Sequence, residues 1–253
     1  MSGAVHFERD GDIGVITIDR PERKNALNAQ MCADFSAHLA AQRDVRALVL
    51  TGAGDAFCAG ADLVTRIGDD HSDAFRPAFE LLQDGLEAFP APVIAAVDGP
   101  AIGAGTQLLT ACDLRVAGRA ARFAIPAARI GLILSAANLE RLLRLVGSGA
   151  ARDLLFTSRT LDQNEAFAMG LVDRVVKSAL DAARLLAFEI ATLAPLSVQG
   201  HKQALLAIER STVVGHELRA ELGALEAAAF ASADLQEGVT AFQEKRRPVF
   251  RGE

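Results

Sequence analysis

Pro92-Val-Ile-Ala-Ala-Val-Asp-Gly-Pro-Ala-Ile-Gly-Ala-Gly105 is the stretch that decides the fold. Its first part, Val93–Val97, is a short unbroken apolar run, which is how a strand buried on both faces reads. Its second part, Asp98–Gly103, is a turn of small residues leading into a helix from Ala104. The pattern has a counterpart upstream. Ala47-Leu-Val-Leu-Thr51 is another buried strand, and it feeds the turn Gly52-Ala-Gly-Asp-Ala-Phe-Cys-Ala-Gly-Ala-Asp62. Strands of this kind alternating with helical segments predict an α/β architecture.

Outward from these turns the same alternation continues. Ile13–Ile18 is rich in β-branched residues and closes at Asp19-Arg20-Pro21. Asn28 is placed to cap a helix whose buried face is Met31, Phe35 and Leu39. Residues 65–74 are polar and read as a loop. Phe75, Phe79, Leu82, Leu86 and Phe89 then fall at helical spacing, with Ser72 as the N-cap and Pro90 and Pro92 as the stop. Short strands are expected at Leu114–Ala117 and Arg122–Ala124. Beyond Leu139 the pattern is helical. Asp162 and Glu165 have capping-box spacing, Gly170 reads as a helix C-cap, and helices are expected over 178–193, 196–210 and 215–230. The expected organisation is an α/β core over residues 1–193 and a helical region over 194–253.

Composition narrows the function. The chain has 253 residues, 51% apolar and 23% charged, with 26 Lys+Arg against 32 Asp+Glu and a net charge of -6. An acidic balance argues against nucleic acid as a partner. The apolar runs are shorter than the roughly 18–20 residues of a membrane helix, and the first residues turn charged before an apolar signal segment develops. The expectation is a cytoplasmic protein without a membrane span. Thirteen Phe but no Tyr or Trp occur, so no tyrosine hydroxyl can serve as acid or base. Cys32, Cys58 and Cys112 are scattered, without disulfide or metal spacing, and suit a reducing compartment.

Several motifs fail. Gly52-Ala-Gly54 and Gly103-Ala-Gly105 lack the third glycine of a dinucleotide fingerprint, because Phe57 and Leu108 stand there. There is no phosphate loop and no nucleophile elbow. His6, His38, His71, His201 and His216 lack metal-ligand spacing, so no metal is expected. What remains are the two Gly/Ala-rich turns. Small residues let backbone approach a ligand, and two N–H groups aimed at one point form an oxyanion hole. Two tight α/β turns without a ligand fit the same residues equally well.

A resemblance separates these readings. Arg20-Pro-Glu-Arg-Lys-Asn-Ala-Leu27, Gly52–Leu63, Pro92–Gly105, Cys112-Asp-Leu-Arg115 and Ala241-Phe-Gln-Glu-Lys-Arg-Arg-Pro248 occur in order along the chain. Together they resemble the enoyl-CoA hydratase/isomerase (crotonase) superfamily. The resemblance implies a spiral of ββα units, a C-terminal helical trimerisation region, and a homotrimer or a hexamer of two trimers. It implies a coenzyme A thioester as ligand and no tightly bound cofactor. The thioester carbonyl would meet the backbone N–H groups of Ala61 and Ala104, the latter standing where the family usually has Gly. Arg23, Lys24, Ala26, Leu27, Ala59 and Ala61 match places that meet CoA, as do Phe242 and Lys245 near the C-terminus.

The resemblance also exposes a departure. Hydratases of this family activate water with two glutamates, at the positions where this chain has Gln107 and Ala127. The dehalogenase branch uses an aspartate where this chain has Ser135. A carboxamide and a methyl group cannot act as general bases near neutral pH, and such bases contribute roughly 10²–10⁴-fold to rate. The expectation is an acyl-CoA-binding family member that is weak or inactive as a hydratase. The alternative is an active acyl-CoA lyase or isomerase with a substitute base, His71 in the loop near the acyl site or Glu140 beyond the second missing position. Against these stand a solvated charged loop and an ion pair of Glu140 with Arg144.

Overall fold

The computed structural model describes residues 3–62, 70–210, 224, 228, 232–244, 246 and 248–253, with the backbone alone at 70–73, 235–236, 238–239 and 242–243. The expected helix over 215–230 lies outside the described residues, apart from single positions.

Six strands form the main sheet, in the order β1 (Ala4–Asp10), β2 (Ile13–Asp19), β3 (Ala47–Gly52), β4 (Val93–Val97), β6 (Leu114–Ala117) and β9 (Arg174–Val175). β1 runs antiparallel to β2, and every later neighbour is parallel. A second, three-stranded sheet joins β5 (Pro100–Ile102), β7 (Arg122–Ala124) and β8 (Leu161–Asp162). Among the described residues the helices with defined ends are α1 (Ala29–Ala41), α2 (Asp70–Glu87), α3 (Ala104–Leu109), α4 (Ala136–Thr157), α5 (Gln163–Ala168), α6 (Ala179–Ala191), α7 (Pro195–Arg210) and α8 (Ala233–Glu244).

Successive side chains of a strand point to opposite faces, and β2 and β3 are apolar on both faces along most of their length, β4 along all of it. Ile16, Ile18, Leu48, Leu50, Val93 and Ala95 face one core with Met31, Phe35 and Leu39 of α1 and Leu82 and Leu86 of α2. Ile13, Val15, Val49, Ile94 and Ala96 face a second core against Ala179, Ala183 and Ala187 of α6. Both faces are covered, as a largely parallel sheet requires. Alanines on α6 let it lie close on the sheet. Asp98, just after β4, accepts hydrogen bonds from the N–H groups of Ala179 (2.7 Å) and Leu180 (3.0 Å) and so caps α6.

Most element expectations hold. Asn28 accepts the Met31 N–H at 2.9 Å and caps α1. Asp162 and Glu165 form both halves of a capping box. Phe75 and Phe79 stack, with ring centroids 5.4 Å apart. Two readings change. The loop expected over 65–74 is already helix from Asp70, so Ser72 lies inside α2 rather than at its cap. Asp and Ser residues favour the positive end of a helix, and a polar first turn looks like loop in sequence. The short strands β8 and β9 were not legible at all, since two residues carry no periodicity. β1 was missed as well, because its outer positions are charged.

α7 is fastened to the core by Lys202. Its ammonium donates to Leu86 O (3.3 Å), Ala91 O (3.1 Å) and Asp113 Oδ2 (2.7 Å). Among the described residues no helix is long and apolar enough to cross a membrane.

Candidate functional site

The parallel strands deliver both turns to one end of the sheet. The chain leaves β3 at Gly52 and β4 at Val97, and neighbouring parallel strands end on the same edge. The turns then lock together. Cys58 and Ala101 form a parallel bridge, Ile102 N–H donates to Cys58 O at 2.9 Å, and Phe57 and Cys58 N–H groups donate to Pro100 O at 3.0 and 3.1 Å. Gly105 is where the backbones touch. A Cβ there would lie 2.1 Å from Cys58 O. Gly60, at φ +105°, turns the chain so that its missing Cβ would sit 2.8 Å from Ile102 O and 3.5 Å from Ala104 N. Ala61 therefore follows a residue that sits against the start of α3.

Two backbone donors are left over. Gly60 O accepts from Leu27 N–H and Asp62 N–H donates to Leu27 O, both at 2.8 Å. These bonds flank Ala61, whose own N–H has no acceptor among the described residues. Ala104 is the first residue of α3, where the N–H has no helical partner, and it too has none among the described residues. Donors of this kind, fixed by backbone bonds on either side, are preorganised for an oxygen that gathers negative charge.

The segment Arg23–Leu27 runs beside the first turn. Ala59 N–H donates to Lys24 O at 2.9 Å. Asn25 is fully buried, and its amide donates to Ala53 O (2.8 Å) and Ala56 O (2.7 Å) while its Oδ1 accepts the Arg20 N–H (2.9 Å). Ala26 and Leu27 are buried, and Arg23 and Lys24 are exposed. Arg20, Asp62, Asn25 and the turn thus form one unit, with Arg20 Nη1 on Asp62 Oδ2 at 2.7 Å. Sequence reading had not singled out Arg20 or Asn25. Their signal was local: an Asn and an Arg flanking a Pro turn are apt to hydrogen-bond neighbouring backbone.

Gln107 is half-buried in α3, and Ala127 is half-buried in the 3-10 helix Pro126–Ile130 that follows β7. Thr106 couples their two elements. It is fully buried, and its hydroxyl lies 2.5 Å from Ala101 O on β5 and 2.9 Å from Ala124 O on β7. Gln83, fully buried on α2, donates to Gln107 O at 3.0 Å, and its own Oε1 has no partner among the described residues. Ser135 caps α4, accepting from Asn138 N (3.4 Å) and Asn138 Nδ2 (3.2 Å). Glu140 is exposed on α4 and pairs with Arg144 at 3.4 Å. His71 falls in the first turn of α2 and Phe242 in α8, but their side chains lie outside the described residues, as does Lys245 altogether.

A different charged cluster lies at the opposite edge of the sheet, where β4 and β6 begin. Glu87, buried at the end of α2, accepts from Arg141 Nε (3.0 Å), Arg144 Nη2 (2.5 Å) and Arg210 Nη2 (2.6 Å). Burial raises the Glu87 pKa, and the Arg141 and Arg210 guanidiniums outweigh it, leaving the carboxyl below its ordinary value. Asp113 is held above its ordinary value by burial, against the pull of Lys202. A cavity of about 410 Å³ lies beside them, lined by Cys112, Arg115, Lys202 and Leu206 among others. It sits away from the two turns and their donors. Cys32, Cys58 and Cys112 are buried, and burial pushes each thiol up to about 12. No cluster of three metal-ligating side chains occurs among the described residues.

Comparison with known proteins agrees over nearly the whole chain. A sequence model of the family described as enoyl-CoA hydratase/isomerase matches residues 8–253. A probable enoyl-CoA hydratase of Mycobacterium tuberculosis is 40% identical over 242 residues, which is 94% of this chain and 95% of that protein. Among solved structures, an enoyl-CoA hydratase/carnithine racemase of Magnetospirillum magneticum superposes with a TM-score of 0.91 at 32% identity, covering 98% of this chain and 96% of the other. An enoyl-CoA hydratase of Bacillus anthracis gives 0.89 at 32% identity, with 98% and 99% covered.

Proposed function

The chain belongs to the enoyl-CoA hydratase/isomerase (crotonase) family, and from that premise we propose that it binds acyl-CoA thioesters without hydrating them efficiently. The observation that carries this reading is the pair of N–H groups at Ala61 and Ala104 that have no acceptor among the described residues, beside an α3 that offers Gln107 rather than a carboxylate. In this reading the thioester carbonyl accepts from both N–H groups. Arg23, Lys24, Ala26, Leu27 and Ala59 form the wall for the CoA nucleotide, with Arg23 and Lys24 facing its phosphates. Phe242 and Lys245 reach the CoA from the C-terminal region.

Enolate-like charge on the carbonyl oxygen would be stabilised by such donors, each worth about 3–4 kcal/mol in the transition state. Water addition needs a separate base. Gln107 can donate to or accept from a water or an acyl oxygen but cannot take its proton, and Ala127 can do neither. Membership of a subgroup without the two glutamates is thus part of the proposal. So is the division into a core over 1–193 and an oligomerisation region over 194–253. The exposed apolar side chains Leu185, Phe188, Leu205 and Ile208 support a homotrimer or hexamer.

The test is a chain-length series of saturated and 2-enoyl-CoA thioesters. Binding is measured by calorimetry, water addition by mass, and isomerisation by chromatographic retention. The expected result is tighter binding of acyl-CoA than of CoA, with no water added. Robust hydration of crotonyl-CoA or a longer enoyl-CoA overturns the reading. Conversion that is lost on replacing His71 or Glu140 establishes the alternative, a lyase or isomerase with a substitute base.

A further inference from the structure

We infer that Arg20 and Asp62 are positioning residues that tune the first oxyanion donor, a role that rests on the acyl-CoA reading above. Asp62 is joined directly to Ala61. Its N–H is fixed on Leu27 O at 2.8 Å, and its carboxylate is fixed by Arg20 Nη1 at 2.7 Å. The same Nη1 donates to Ala26 O at 3.2 Å, so one guanidinium spans both strands of the Leu27–Ala61 bridge. Both side chains are largely enclosed, at 11% and 14% exposed. Asn25 holds the Arg20 backbone from the other side.

The arrangement has an electrostatic consequence as well as a mechanical one. A carboxylate beside a partly enclosed donor opposes the build-up of negative charge on whatever that donor binds. Pairing with Arg20 cancels that opposition, and the effect is larger in an enclosed site than in water. Loss of the arginine charge alone removes the cation that pairs with Asp62 at 2.7 Å and weakens polarisation of the carbonyl. Loss of the carboxylate charge alone leaves a net positive charge near Ala61 and strengthens it. Removing both charges leaves the net charge beside Ala61 as it is in the wild type. A purely structural pair would instead loosen the turn and weaken polarisation in every variant.

The experiment compares wild type, Arg20→Gln, Asp62→Asn and the double variant. Each is loaded with an acyl-CoA labelled with ¹³C at the thioester carbonyl. Difference infrared spectroscopy reads the carbonyl stretch, which falls as polarisation grows, and calorimetry reads the preference for acyl-CoA over CoA. Arg20→Gln is expected to raise the stretch and reduce the preference about 3- to 10-fold, the size of one net hydrogen bond. Asp62→Asn is expected to lower the stretch, and the double variant to return toward wild type. Shifts of the same sign in both single variants, or no shift in either, overturn the inference while leaving acyl-CoA binding intact. Should the wild type bind acyl-CoA no better than CoA, with an unshifted carbonyl, the acyl-CoA reading falls and this inference with it. A double variant that melts like wild type keeps the comparison valid even where one single variant folds poorly.

Discussion

Replacing Gly105 by alanine tests whether the two turns are held at a working separation. The new Cβ would meet Cys58 O at 2.1 Å, Cys58 C at 2.9 Å and Cys58 Cβ at 3.0 Å. Ordinary contacts of carbon with oxygen begin near ~3.3 Å, so one turn must retreat by about an ångström. The obstacle is backbone, bonded in turn to Ile102 N–H, and no side-chain rotation relieves it. Overpacking of this kind costs about 1–3 kcal/mol, of which alanine's better helix propensity returns about 0.5–1 kcal/mol. The net cost is then about 0–2.5 kcal/mol, and at about 2–4 °C per kcal/mol the midpoint of thermal unfolding should fall by up to about 10 °C for a chain of this length. The retreat also pulls Ala104 N–H away from Ala61 N–H, so the preference for acyl-CoA over CoA should drop about 3- to 10-fold. Gly149→Ala is the control. Gly149 is exposed in α4 with nothing within 4 Å of the added Cβ, so this variant should gain about 0.5–1 kcal/mol with binding unchanged. Circular dichroism melts and competition calorimetry measure both quantities. A Gly105→Ala protein that keeps wild-type stability and acyl-CoA preference refutes the reasoning.

Three more outcomes follow from particular residues. Glu87→Gln leaves Arg141, only 4% exposed, with the exposed Asp84 as its remaining carboxylate among the described residues, and should cost about 1.5–3 kcal/mol in chemical denaturation. The Glu87 pKa is lowered by folding, so its contribution is present above the ordinary carboxylate value and is lost as pH falls through the depressed one; the gap between variant and wild type should therefore narrow on acidification below about pH 5, and a gap that widens contradicts the assignment. The three thiols, buried and held up to about 12, should resist iodoacetamide near neutral pH in the native protein and react at a rate set by unfolding; fast labelling of any one would contradict its burial. Gln107→Glu combined with Ala127→Glu should raise crotonyl-CoA hydration by up to about 10²–10⁴-fold, measured by loss of enoyl absorbance, and an unchanged rate would count against those two positions facing the acyl group.

What could be read ahead of the structure was whatever repeats or punctuates. Two-faced strands such as Val93–Val97 reveal themselves by an unbroken apolar run, and α1 by its spacing and its Asn28 cap. The turns at Gly52–Asp62 and Asp98–Gly103 were visible as clusters of small residues. Contacts between distant segments were not visible. Nothing local in Asp98 says that it caps α6 at Ala179, and nothing in Thr106 says that its hydroxyl meets both Ala101 O and Ala124 O. These bonds depend on where the chain returns, which no local pattern encodes. The start of α2 was hidden for a different reason: the residues that favour a helix N-terminus are those that also favour loops.

The fold needs the two turns whether or not an acyl-CoA meets their N–H groups. Phe57, Cys58, Ala101 and Leu108 within or beside them belong to the main core, so their geometry would survive the loss of any activity. Lys24 is a better witness. It sits in the left-handed region at φ 50°, directly before Asn25 at φ 60°, and a non-glycine residue there costs roughly 1–2 kcal/mol. Its side chain is exposed and meets no acceptor among the described residues, while its backbone N–H and O bond Pro21 O and Ala59 N–H at 2.9 Å each. Lys24→Gly keeps those backbone bonds and relieves the strain. Glycine's greater freedom in the unfolded chain takes back about 0.5–1 kcal/mol, so stability should stay level or rise by up to about 1.5 kcal/mol. CoA affinity should nevertheless fall about tenfold or more, the scale of a lost charge-assisted hydrogen bond to phosphate, and its dependence on salt should weaken. A gain in stability coupled to a loss in affinity is the signature of a residue kept for its ligand. If Lys24→Gly binds CoA like wild type across salt concentrations, the lysine does not face the phosphates, and the wall assigned to Arg23–Leu27 loses its main support.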